Sequence, residues 1–132
     1  FYKAVEELVR VLKPGGQGVF MVYNAFSYRQ WFTSPIRTLI KSFTCTSRSS
    51  IRGKKVERGM YDSNSKGEAA PSTEFLSRKE IAQHMTELRT KVKISSENIG
   101  SYFMFPLPRI LKLKLFSSYL GLDLYVFFSK ED

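Results

Sequence analysis

A helix, a Pro-Gly-Gly turn and an apolar strand follow one another with no spare residue in AVEELVRVLKPGGQGVFMVYN, Ala4 to Asn24. Phe1, Ala4, Val5, Leu8, Val11 and Leu12 recur at i, i+3, i+4 and i+7, which predicts a helix with one buried face. Lys3, Glu6, Glu7, Arg10 and Lys13 take the other face. Pro14 cannot continue the helix, and Gly15 or Gly16 can adopt the left-handed conformation of a helix stop. Gly18 to Tyr23 shows no polar alternation, the pattern of a strand covered on both faces. Such a strand directly after a helix predicts an α/β protein.

The segment EELVRVLKPGGQGVFMV resembles the piece of class I S-adenosylmethionine-dependent methyltransferases that joins the fourth helix to the fifth strand. The resemblance implies the C-terminal half of a Rossmann-like sheet, in the order helix, parallel strand, helix, edge strand, antiparallel inserted last strand. It also implies transfer of a methyl group from S-adenosylmethionine to a small-molecule acceptor. The family's glycine-rich cofactor loop opens a helix after its first strand, whereas Gly15, Gly16 and Gly18 precede a strand. The N-terminal cofactor-binding half is therefore expected to lie upstream of Phe1, leaving residues 1–132 as the acceptor side of one domain, inactive alone. A parallel neighbour for Gly18–Tyr23 is expected from the same missing half, so that strand would carry an unpaired, aggregation-prone edge.

The later chain keeps to that order. Ser77 with Glu80 forms a capping box, and Leu76 with Ile81 has the spacing of a hydrophobic staple, so a helix is predicted from about Arg78 to Leu88. His84, the single histidine, falls off its apolar stripe and is expected to be exposed. KVKISSENIG alternates as a lysine-protected edge strand. FPLPRILKLKLFSSYLG fits a helix stopped by Gly121, although Leu111 to Leu115 also alternates with period two. Leu122 to Ser129 is apolar on both faces except at Asp123 and predicts a buried last strand. Between about residues 42 and 74 neither period is present, which predicts a long loop or insert.

In open α/β sheets ligands gather at the carboxyl ends of the strands. Tyr23 and Asn24 end the first strand, and Phe26, Tyr28, Trp31 and Phe32 follow as a lid or wall, with a short helical pattern around Ile36, Leu39 and Ile40. The candidate acceptor-binding residues are Tyr23, Asn24, Tyr28, Arg29 and Trp31. Asn24 offers donor and acceptor groups, Arg29 a partner for a carboxylate or phosphate, and Tyr28 or Tyr61 a hydroxyl for the nucleophile. No catalytic residue, confident cofactor-binding residue or metal ligand is assigned.

Composition bounds the alternatives. The single cysteine, Cys45, excludes an internal disulfide and a cysteine-based zinc cluster and reads as a loop thiol. With no apolar run of ~20 residues and no signal-peptide pattern, the expected compartment is the cytoplasm. The formal net charge is +9, and Arg29 to Lys55 holds seven basic residues and no acidic one. That charge sets the rival reading: a non-catalytic basic α/β module for nucleic acid or an anionic membrane surface, with Pro108 to Phe116 as a peripheral membrane contact. Nucleic acid is the weaker partner, since no recognition motif accompanies the charge.

Overall fold

In the computed structural model the described residues are 1–44, 49–51, 65, 66, 68, 73–100, 106 and 108–131. Cys45, Tyr61 and most of the expected insert lie outside them. The element order is α1 (Tyr2–Val11), β1 (Gln17–Asn24), α2 (Tyr28–Thr33), α3 (Pro35–Thr44), β2 (Ser49–Ile51), β3 (Thr73–Leu76), α4 (Arg78–Glu87), β4 (Thr90–Glu97), α5 (Arg109–Leu120) and β5 (Asp123–Lys130). The protein is α/β, with a five-stranded mixed sheet ordered β2-β3-β1-β5-β4 among the described residues. No helix among them is long and apolar enough to cross a membrane.

β5 lies antiparallel between β1 and β4, pairing from Gln17↔Ser129 to Tyr23↔Asp123 on one side and from Thr90↔Lys130 to Glu97↔Asp123 on the other. The edge position of β4 and the interior position of β5 are those expected from their alternation and continuous apolarity. β1 is not left without a parallel partner. The chain supplies β3, in register at Tyr23↔Phe75 and Asn24↔Leu76, and β2 adds an antiparallel strand beyond it.

One expectation is corrected at β1. Val19 is 56% and Met21 45% exposed, so only the face bearing Phe20 and Val22 packs on the core. The cause is that α1 and α4 cover the same face: Val5 and Val9 meet Ile81, Met85, Leu124, Val126 and Phe128 there. Full burial of each such side chain contributes about 1.5–3 kcal/mol. His84 is corrected as well. Its side chain is only 14% exposed, its ring sits 4.6 Å from that of Tyr2, and its Nε2 lies 3.9 Å from Glu6, because α4 lies beside α1.

The helix ends follow local chemistry. Glu80 N–H donates to Ser77 Oγ and Ser77 N–H to Glu80 Oε2, each at 3.2 Å, completing the capping box. After α1 the chain turns through Gly15 at φ +71°. Gly15 N–H donates to the Lys130 carbonyl and Lys130 N–H to that of Gly16, each at 3.0 Å. The Lys130 ammonium donates to Leu12 O at 2.9 Å, placing a cation on the orphan carbonyls of α1. Arg89, just past α4, holds φ 52°, a conformation that costs a non-glycine residue about 1–2 kcal/mol.

Two substitutions are expected to move stability in opposite directions. Gly15→Ala should cost about 1 kcal/mol, and Arg89→Gly should gain about 0.5–1 kcal/mol. Urea midpoints at constant slope would check both signs.

Candidate functional site

The carboxyl ends of β1 and β3 meet the start of α4 and the end of α5 around a cavity of about 370 Å³. Its wall includes Asn24 and Phe26 after β1, Ser42 of α3, Arg78 and Lys79 of α4, and Tyr119 of α5. The place is the one that strand polarity designates for a ligand. Phe26 and Tyr119 offer aromatic surface, and Arg78 and Lys79 offer cations.

Of the five candidates named from sequence, the cavity wall holds Asn24. Its side chain is also spent on the fold. Nδ2 donates to Gly121 O at 2.9 Å, Oδ1 accepts from Phe26 N–H at 2.9 Å, and the residue is 3% exposed. Its backbone N–H donates to Leu122 O at 2.8 Å, and the next amide, Ala25, to Leu76 O at 3.0 Å. Asn24 thus ties the ends of β1 and β3 to the turn between α5 and β5.

Tyr28 is buried in a second apolar cluster with Ile99, and partly buried Leu113, Phe116, Leu120 and Leu122 pack against the pair. Its hydroxyl accepts from Gly100 N–H at 3.0 Å. Tyr23 is half-buried, with its ring 6.0 Å from that of Phe75. Arg29 and Trp31 are half-buried on α2, away from the lining of this cavity.

Arg78 also borders a second, more polar cavity of about 560 Å³, together with Ser95, Ser96, Asn98, Arg109 and Ser117. Its guanidinium donates to Ser118 O, so it stands as the partition between the two spaces. Ser96 Oγ is buried there with no hydrogen-bond partner among the described residues. Asn98, at φ 67°, donates to buried Asp123 at 2.9 Å and shapes the floor where β4 ends.

Sequence reasoning missed Arg78, Lys79 and Arg109. A usable signal existed for the first two. They occupy the first helical positions after the Ser77 cap, where the helix dipole disfavours cations. Two basic residues placed against that local preference point to a role outside the helix.

Asn24→Ala is expected to destabilise the fold by about 1–3 kcal/mol, since it orphans the Gly121 carbonyl and the Phe26 amide. Tyr28→Phe should cost less, about 0.5–1.5 kcal/mol, for one lost acceptor. Denaturant titration would rank the two, and an Asn24→Ala variant as stable as the parent would contradict the tie described here.

Comparison with known proteins adds no relative: no protein-family model, no curated protein and no solved structure matches this chain.

Proposed function

We propose that this chain is the acceptor-binding part of an S-adenosylmethionine-dependent methyltransferase domain of Rossmann-like topology. The observation that carries the reading is the sheet order. β5 is inserted antiparallel between β1 and an edge strand β4, although the place beside β1 that the reading gives to an earlier strand is taken here by β3 of this chain. The RVLKPGG turn leading into β1 supports it from the sequence.

Among the described residues the glycine turn before β1 does not form a cradle for the cofactor. At the glycine turn, Gly15 N–H is bonded to Lys130 O and Gly16 N–H to Lys13 O, so neither amide faces a ligand. In this reading the cofactor is held by residues outside the described ones. The cavity at the end of β1 takes a small acceptor. Phe26 and Tyr119 cover its apolar or planar part, and Arg78 and Lys79 attract an anionic group on it. The contribution of this chain is positioning: it holds the acceptor still while the reacting atoms align.

The test is release of S-adenosylhomocysteine by the full-length protein over a panel of small carboxylate- and phosphate-bearing acceptors. Phe26→Ala and Lys79→Ala are each expected to raise the acceptor's KM about tenfold while leaving cofactor affinity unchanged. The 132-residue chain alone is expected to bind S-adenosylmethionine more weakly than micromolar by calorimetry. A full-length protein with no measurable affinity for S-adenosylmethionine would overturn the reading.

A further inference from the structure

The polar cavity of about 560 Å³ is lined by charged groups that do not meet one another. Arg109, Leu113 and Ser117 stand at i, i+4 and i+8, so one stripe of α5 forms part of its wall. Residues 94–98, the end of β4 and the position after it, line it as well. Arg109 begins α5, whereas the Arg78 guanidinium is tied to the carbonyl of Ser118 near the end of that helix. Nine residues of helix rise by ~13 Å, so the two cations stand toward opposite ends of the stripe.

Glu97 belongs to the same wall, is exposed, and accepts from the Ser95 hydroxyl at 3.3 Å. Among the described residues neither arginine is within ion-pair distance of Glu97 or of any other carboxylate. Glu97 is in register with Asp123, and like charges directly opposite on a ladder disfavour each other unless a cation stands nearby. The Asp123 carboxylate accepts from the Asn98 amide at 2.9 Å, which brings no positive charge. Ser96 Oγ, also in the wall, is buried with no hydrogen-bond partner among the described residues. It lies 2.5 Å from where a Cβ on Gly121 would stand, which puts it at the Arg78 end of α5. A buried hydroxyl left unpaired beside a cavity is relieved by an acceptor atom on whatever fills that cavity.

We propose that this cavity binds a small acidic amino acid, a molecule with two carboxylates and one ammonium. The wall presents the complementary set, two guanidiniums and one carboxylate. Arg78 and the Ser96 hydroxyl take one carboxylate, Arg109 takes the other, and Glu97 takes the ammonium. Ile94, Leu113 and the half-buried Tyr125 meet the methylene stem between them. A phosphate would bring a second negative charge toward Glu97 and Asp123, whereas a carboxylate matches one arginine charge for charge. The site does not rest on the methyltransferase reading, since it is the space across Arg78 from the cavity at the end of β1.

Calorimetry on the full-length protein, with no S-adenosylmethionine present, tests the proposal with L-glutamate, glutarate, L-glutamine and 4-aminobutyrate. Each of the last three lacks one charged group of the first, and each should bind about tenfold or more weakly than it. Glu97→Gln should lower the affinity for glutamate about tenfold and leave that for glutarate within about twofold. Arg109→Gln should lower the affinity for glutamate about tenfold and leave one of the two single-carboxylate ligands within about twofold. Ser96→Ala should weaken glutamate about threefold or more. Glu97 and Arg109 are exposed, so the urea midpoints of their variants should stay near that of the parent. The proposal falls if glutamate shows no saturable binding, if the three analogues bind as tightly as glutamate, or if inorganic phosphate competes with glutamate at equal concentration. It also falls if neither the Glu97 nor the Arg109 variant changes the affinity for glutamate, or if Ser96→Ala binds it as the parent does.

Discussion

The antiparallel ladder between β1 and β5 is the interaction on which the rest of the structure depends. It joins residues a hundred or more positions apart, and every other layer is placed against it. At its start Gly18 faces Phe128, and the aromatic ring lies where a Cβ on residue 18 would be. That vacancy lets Phe128 approach Phe20, with ring centroids 5.8 Å apart, and lets both enter the core beneath α1. At the far end the ladder passes into the bonds of Asn24 with Gly121 and Leu122. One strand pair thus sets the core at one end and the cavity at the other.

The cavity is rigid on one side and adjustable on the other. Asn24 is held by its backbone and by both ends of its amide, so the wall at the end of β1 has little freedom. Arg78, Lys79 and Tyr119 are long side chains at helix ends, and Tyr119 is 78% exposed. A fixed floor with adaptable cationic and aromatic rims suits recognition of a small polar ligand, where orientation comes from the floor and affinity from the rim.

What was legible in the sequence was whatever a short window encodes. The α1 helix, the glycine stop after it, the Ser77–Glu80 box and the contrast between alternating β4 and apolar β5 all rest on neighbouring residues and stand where the pattern puts them, although the buried side of α1 is Val5 and Val9 and the expected Val11 is 64% exposed. Periodicity also tells which face of an element is apolar, but not whether anything covers it. Val19 and Met21 therefore read as buried and are not, and the stripe of α3 points outward. Partners at long range left no local trace. Asn24 was singled out for its position, yet its bond to Gly121 spans 97 residues, and the Gly100 amide that engages Tyr28 is 72 away. The short strand β2 escaped notice because three residues are too few to show a period.

The place of β5 bears on how the protein is made. The strand that joins β1 to β4 comes after the other four described strands in the chain, so until it is made β1 and β4 have no strand between them. Leu124, Val126 and Phe128 are also missing from the core until that moment. The nascent chain must therefore wait with Phe20 and Val22 unsatisfied, in the kind of exposed state that chaperones hold. Closure across so long a stretch of chain is slow. Completion of this sheet consequently waits on the arrival of one eight-residue strand.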